Sequence, residues 1–212
     1  MSTYQKLQES LIAGQGDKVN EMVGTLLKEG NSPMEILSDG LFPGMSIVGQ
    51  KFKIGEMFIP EVLASAHAMS SGFDLLKPVI TQDRLSDIYI GKVVIGTVQG
   101  DLHNIGKKIV SMILESGGFT VVDIGVDAPT EKFIEAIKQE QPNLLGVSAL
   151  LTTTMPRMGE IIEALKHSNL RDKVRVMVGG APITQAFADS IGADGYAPDA
   201  VSALDVAKQL LS

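Results

Sequence analysis

KVVIGTVQGDLHNIG, residues 92–106, changes grammar twice within one short stretch. Lys92–Val98 is a short apolar run that reads as a buried strand. The next residues, Gln99-Gly100-Asp101-Leu102-His103-Asn104, are polar apart from Leu102 and form a loop. From Ile105 the apolar positions return at helical spacing, predicting a helix over Ile105–Ser116.

The same alternation continues towards the C-terminus. Phe119–Ile124, Leu144–Ser148 and Val174–Val178 read as further buried strands, with a weak fifth near Ala193–Tyr196. Helices are predicted over Glu131–Gln139, Pro156–His167, Thr184–Asp189 and Asp199–Leu211. Alternating strand and helix implies a parallel sheet covered on both faces. With five strands the expected order is 2-1-3-4-5, the flavodoxin-like (Rossmann-like) arrangement. Towards the N-terminus the pattern is helical throughout. Val19, Met22, Val23, Leu26 and Leu27 share one face, and Ser32-Pro33-Met34-Glu35 is a capped helix start. A second start is expected at Pro60, followed by Val62, Leu63, Ala66, Met69 and Phe73. The expected organisation is an all-α bundle of four or five short helices over 1–80, a polar linker over 81–91, and an α/β domain over 92–212.

Composition limits the functions available. The 212 residues are 44% hydrophobic, enough for two small cores. Eighteen basic residues against 25 acidic ones leave a net charge of −7, which works against phosphate-backbone binding, so no nucleic-acid partner is expected. Cysteine is absent, which removes disulfides and thiolate metal sites and suits a reducing cytoplasm. The N-terminal residues lack signal-peptide order, and no apolar run approaches membrane-spanning length, so a cytoplasmic location without membrane attachment is expected.

In an open parallel sheet of this order, ligands bind beyond the carboxyl ends of strands one and three, where the strand order reverses. The loops there are 99–106 and Ser148-Ala149-Leu150-Leu151-Thr152-Thr153-Thr154, with Gly179-Gly180 at the end of the neighbouring strand. The first loop has a single imidazole, His103, two residues after the carboxylate of Asp101. A carboxylate that accepts one imidazole N–H fixes the tautomer and makes the other nitrogen a better metal donor. Ser148 is placed to bond to Asp101 and extend that relay. Gly106, Gly179 and Gly180 leave a slot for something flat and long. One histidine holds a bare ion poorly, but it can supply one axial position to a metal held by a macrocycle.

Asp101-Leu102-His103-Asn104-Ile105-Gly106 resembles the D-x-H-x-x-G signature of cobalamin-binding domains, Ser148-Ala149-Leu150 resembles their S-x-L element, and Gly179-Gly180 their double glycine. Gly44-Met45, Val48-Gly49, Phe52, then Gly55-Glu56-Met57-Phe58-Ile59-Pro60 and Ala66 to Met69 are similar to the helical cap that precedes the cobalamin domain in methionine synthase. The likeness runs from about residue 4 to the end and is closest to the free-standing corrinoid proteins of methyltransferase systems. One departure is Asn104, where many relatives have an acidic residue, which implies altered tuning of the site.

That resemblance implies a cobalamin or related corrinoid cofactor, with His103 as lower ligand to cobalt and Asp101 and Ser148 as its relay. It implies cofactor contacts from Gly100, Leu102, Asn104, Ile105, Gly106, Leu150, Thr152, Thr153, Gly179, Gly180, Tyr196 and Ala197, several of them lining a channel for the cofactor's tail. Met57, Phe58 and Val62 are the implied apolar contacts of the helical cap on the upper face. The implied function is that of a methyl carrier, not an enzyme alone. Cobalt would alternate between Co(I) and methyl-Co(III), taking a methyl group from a substrate-specific methyltransferase and passing it to a second one that uses tetrahydrofolate or a thiol. A reductive activase would restore Co(I). Protonation of the Asp101–His103 pair would weaken the lower ligand, and the linker would be the hinge on which the cap moves.

Simpler readings apply to other residues. His67 is assigned to packing or partner contact, and His167 to a helix end where a cation suits the macrodipole. Thr152–Thr154 double as a cap for the next helix, and Lys92, Lys107 and Lys108 read as solvated surface. The alternative function is a corrinoid-dependent sensor or regulatory module. Such regulators carry a tryptophan motif and a DNA-binding domain, and this chain has no tryptophan. A mutase-type module usually lacks the helical cap.

Overall fold

The computed structural model describes residues 2–80 and 89–212, so most of the expected linker and hinge at 81–91 lies outside the described residues. The chain forms two compact units, the first ahead of residue 89 and the second spanning Tyr89–Ser212.

The first unit is helical. Its elements are α1 (Thr3–Ile12), α2 (Gly16–Lys28), α3 (Pro33–Glu35), α4 (Phe42–Lys53) and α5 (Ile59–Leu76), with a short 3-10 turn at Lys77–Val79. Helix α1 starts at a capping box, in which Ser2 Oγ accepts the Gln5 N–H and the Gln5 side chain accepts the Ser2 N–H. Ser32 and Glu35 repeat the device at α3, with Pro33 in the first helical position. Helix α5 begins one residue before Pro60, where the Glu61 carboxylate accepts the Phe58 N–H at 2.7 Å.

The π-helical segment Ile36–Leu41, which joins α3 to α4, was not read from the sequence. Its cause is Pro43. A proline inside a helix offers no N–H to the carbonyl four residues back and its ring crowds that carbonyl. The displaced carbonyl is that of Asp39, which takes a hydrogen bond from the Gln8 side chain of α1 instead, at 2.7 Å. A wider turn therefore absorbs the proline without leaving an unpaired carbonyl.

The second unit is a five-stranded parallel sheet in the order β2-β1-β3-β4-β5, the reversal predicted above. Its strands are β1 (Gly91–Thr97), β2 (Phe119–Asp123), β3 (Leu144–Ser148), β4 (Arg175–Gly179) and β5 (Gly195–Ala197). The helices between and after them are α6 (Ile105–Ser116), α7 (Thr130–Glu140), α8 (Pro156–His167), α9 (Gln185–Ile191) and α10 (Ala200–Leu210). Strand residues alternate between two cores. Val94, Val98, Leu145, Val147, Val176 and Val178 pack with Phe133, Ile137, Ile161 and Leu165 of α7 and α8. Val93, Leu144 and Met177 pack with Leu114, Ala203 and Ala207 of α6 and α10. Register places Thr97 beside Ser148, Ser148 beside Gly179, and Gly179 beside Ala197, one row across four carboxyl-terminal strand ends. Among the described residues, no helix is long and apolar enough to cross a membrane.

Candidate functional site

Asp101 and His103 lie in the loop from β1 to α6, at the switch between β1 and β3. The Asp101 residue is fully buried, with 0% of its surface exposed. Its carboxylate takes five hydrogen bonds. Oδ1 accepts the His103 N–H at 3.1 Å and faces the His103 Nδ1 at 2.7 Å. Oδ2 accepts the Leu150 N–H at 2.7 Å, the Leu151 N–H at 3.2 Å and the Thr154 hydroxyl at 2.9 Å. Burial by itself would raise the carboxyl's pKa, but the donors from Leu150, His103 and Thr154 outweigh it and hold Asp101 far below the usual carboxylate range.

An ionised carboxylate only accepts, so the proton in the short contact sits on Nδ1. In the neutral ring this leaves the Nε2 lone pair free to coordinate. The His103 side chain is 52% exposed, so that nitrogen is accessible. Thr97, fully buried at the end of β1, steadies the loop by donating to the His103 carbonyl at 3.0 Å.

The relay expected from Ser148 needs correction. Ser148 ends β3, beside Thr97, but the hydroxyl that reaches Asp101 belongs to Thr154. The reason is topological. After β3 the chain turns over the loop, aims the Leu150 and Leu151 amides at Oδ2, and returns Thr154 to the same atom. Thr154 is buried while Thr152 and Thr153 are exposed. Its hydroxyl also lies 3.0 Å from the Leu151 carbonyl, and its single proton favours the charged acceptor. The capping role expected of this threonine run is also corrected, since the residue at the start of α8 is Met155 and no side chain caps it.

The residues around His103 suit a broad apolar ring. Leu102, Ile105, Leu150 and Leu151 are all exposed, a rare concentration of large apolar side chains around one accessible imidazole. A Cβ added to Gly106 would meet no atom within 4 Å, so packing within the chain gives no reason for a glycine there, whereas a bound group would. Gly180 has a different cause. At φ +134° a Cβ would fall 1.8 Å from the Ala149 carbonyl oxygen, so close approach of the backbones excludes any side chain. Asn104 occupies the N-cap position of α6 without a side-chain capping bond. Among the described residues, no group of three or more histidine or acidic side chains is arranged to hold an ion by itself. A single accessible histidine in an apolar rim fits a metal that brings its own equatorial ligands.

Ser148, Gly179 and Ala197 share the α6 and α10 face of the sheet. The Tyr196 side chain packs on the α7 and α8 face, so only its backbone borders that row, a correction to its expected place in the channel. Gly100 precedes Asp101 in the same loop. In the first unit, Phe58 is exposed while Met57 and Val62 are buried, so Phe58 alone of the three presents open apolar surface. Lys107 was misread as surface. It is buried and ion-paired with Asp123. Lys92 reaches the Glu140 carbonyl and carboxylate. The sequence reading missed Thr97, and it placed Thr154 in the capping run without its bond to Asp101. Thr97 carried a legible signal, a hydroxyl near the end of an otherwise apolar strand.

Comparison with known proteins identifies relatives over the length of the chain. A family model described as B12 binding domain matches residues 91–205, and a second model of the same description matches residues 3–77. The chain is 46% identical to the dimethylamine corrinoid protein of Methanosarcina barkeri, over 98% of this chain and 97% of that protein. Its fold is similar to a cobalamin-binding protein from Desulfitobacterium hafniense, with TM-score 0.82, 27% identity and coverage of 99% and 98%. It is also similar to a chain of the methanol:cobalamin methyltransferase complex of Methanosarcina barkeri, with TM-score 0.85, 30% identity and coverage of 97% of this chain and 78% of that one.

Proposed function

This chain belongs to the B12-binding corrinoid proteins, and on that premise we propose that it is a methyl carrier whose lower ligand to cobalt is His103. The observation that carries the reading is the buried, five-fold hydrogen-bonded Asp101 holding His103 Nδ1 while Nε2 is left accessible among exposed apolar side chains. When bound, the corrinoid supplies a cobalt that alternates between nucleophilic Co(I) and a methylated Co(III) state.

The chain's own residues do the rest. Asp101 fixes the tautomer and orientation of the imidazole. Thr154 and the Leu150 and Leu151 amides fix Asp101 in turn. The row Ser148-Gly179-Ala197 and the open space at Gly106 receive the cofactor's tail, while Leu102, Ile105, Leu150 and Leu151 exclude water from the ring. Because Asp101 stays ionised far below neutral pH, it remains an acceptor for the imidazole Nδ1–H.

The M. barkeri relative is named for dimethylamine, and the similar structure belongs to a methanol system. This supports a substrate-specific methyltransferase as the methyl donor's host, with the substrate chosen by that partner. A second methyltransferase and a reductive activase complete the cycle. A chain without cysteine whose cofactor passes through Co(I) suits a reducing cytoplasm.

The test is reconstitution with hydroxocobalamin, removal of unbound cofactor, and electron paramagnetic resonance of the Co(II) form beside His103→Ala. Retained corrinoid with histidine nitrogen coupling that the variant loses is the expected result. A nitrogen signal that persists in the variant overturns the ligand assignment. Loss of all corrinoid from the wild-type chain on desalting overturns the carrier.

A further inference from the structure

One loop, from Asp123 at the end of β2 to Asp127, holds the Asp101–Gly106 motif at both of its ends. Ahead of the motif, the Asp127 carboxylate accepts the Gly100 N–H at 2.7 Å. The Asp127 N–H donates to the Asp101 carbonyl at 2.9 Å, which makes the clasp reciprocal. Behind the motif, Lys107 follows Gly106 directly. Only 1% of its side chain is exposed, and its ammonium pairs with the Asp123 carboxylate. That carboxylate also accepts the Gly125 N–H at 2.8 Å, so its own loop holds it in place.

The loop itself is tied to β1. The Thr97 N–H donates to the Gly125 carbonyl and the Ala128 N–H to the Thr97 carbonyl, each at 3.0 Å. Asp127 has φ +49° and Gly100 φ +83°, so both sides of the clasp use left-handed backbone. Aspartate and asparagine tolerate that region better than other side chains, and the clasp gives the conformation a reason to persist. Neither Asp123 nor Asp127 bonds to the Asp101 carboxylate or the imidazole. Any effect they have on the metal passes through the main chain.

We propose that Asp127 and the Lys107–Asp123 pair are positioning residues for the lower ligand, clamping the chain at Gly100–Asp101 and at Lys107 so that His103 stands at its coordinating position before the cofactor arrives. This rests on the reading of His103 as ligand. Its physical content is preorganisation: the loop is ordered during folding, so cofactor binding need not order it.

The experiment uses the full chain reconstituted with hydroxocobalamin, as Asp127→Ala, Asp127→Asn and Lys107→Met, each alone and combined with His103→Ala. Lys107→Met removes the buried charge and leaves Asp123, whose side chain is 34% exposed, to be served by water. Histidine nitrogen coupling in the Co(II) spectrum and the rate of corrinoid loss after dilution are read. Asp127→Ala and Lys107→Met are expected to lower the histidine-coupled fraction and to speed corrinoid loss roughly tenfold, the usual scale for a ligand-orienting contact. Asp127→Asn keeps an acceptor for the Gly100 N–H and a tolerance for left-handed backbone, so it retains wild-type behaviour. In the His103→Ala background, Asp127→Ala and Lys107→Met add nothing, because they act through the imidazole.

Equal acceleration in both backgrounds overturns the proposal and makes the clamps general scaffolding. So does full histidine coupling in both variants. If His103→Ala alone leaves coupling and retention unchanged, the ligand reading fails first and removes this proposal with it. Hydrogen exchange of the amides of 101–106 in the cofactor-free chain provides a readout independent of loading. It is expected to quicken in Asp127→Ala, and unchanged exchange overturns the clamp.

Discussion

The interior of the β-sheet and its carboxyl-terminal edge are built from the same strands, yet their glycines serve different ends. On the α7 and α8 face, a Cβ on Gly96 would lie 2.6 Å from Ile124 and 2.8 Å from the Phe133 ring, so the missing side chain is replaced by a neighbour's bulk. The α6 and α10 face does the same, with Ile95 3.0 Å from a Cβ on Gly146 and Val206 2.7 Å from one on Gly195. At the carboxyl-terminal edge, a Cβ on Gly179 would meet only the Ala197 carbonyl oxygen at 3.2 Å, and at Gly106, where α6 begins, it would meet nothing within 4 Å. The interior gives up side chains to close both of its cores. The edge gives them up to remain open where the histidine loop stands. One layer holds both, because residues along a single strand answer to different environments.

The sharpest test of this contrast lies in the closed interior. Phe133→Ala, at a fully buried ring, is expected to lower the stability of the cofactor-free chain by about 3–5 kcal/mol in urea denaturation. A much smaller loss would show that the α7 face is looser than described. Next comes Asp101→Asn, which disrupts a buried five-bond network and is expected to cost about 2–4 kcal/mol at neutral pH. Its pH dependence follows from the depressed pKa. The folded carboxyl sits below its unfolded value, so the charge-linked stability is fully present above roughly pH 5 and is lost as pH falls from there towards the folded value. The gap between wild type and variant should therefore narrow in acid, and a gap that widens would contradict the assignment.

Thr154→Val keeps the shape and removes the hydroxyl, with an expected cost of about 1–2 kcal/mol. Ser148→Ala, a change that leaves the Asp101 bonds intact, is expected to stay within about 0.5 kcal/mol. Reversal of that order would restore Ser148 to the relay. The one gain in stability belongs to the open edge. Gly106→Ala places a methyl group in vacant space on a helix and should stabilise the cofactor-free chain by up to about 1 kcal/mol. The same methyl group should weaken corrinoid retention on desalting, so stability and binding move in opposite directions.

Periodicity made the sheet legible. Leu144–Ser148, Ile105–Ser116 and Pro156–His167 were each bounded as observed, and the strand order followed from the alternation of strand and helix. The loop holding Asp101 and His103 was legible because polar residues at a switch point stand out against apolar strands. Choosing among Thr152, Thr153 and Thr154 was not possible, since only the turn after β3 decides which hydroxyl is buried. Lys107 was misread because lysine is usually solvated, and the carboxylate that keeps it buried lies on β2, out of sight of local pattern. Tyr196 was misplaced because its strand is only three residues long, too short for alternation to set a face.

The wide turn at Ile36–Leu41 also has a consequence for phase. From Ile36 onward the buried positions are Ile36 and Leu37, Gly40 and Leu41, Gly44 and Met45, then Val48, a repeat of four residues. An ordinary helix turns about 100° per residue, so a four-residue repeat slips by about 40° at each step and by about 120° over three steps. Left uncorrected, that slip would carry the apolar stripe from the interior round to the side. A turn with more residues per revolution runs the other way and takes up the error, as a vernier does between two scales. Pro43, which would break a uniform helix, thus keeps this one in register with its neighbours.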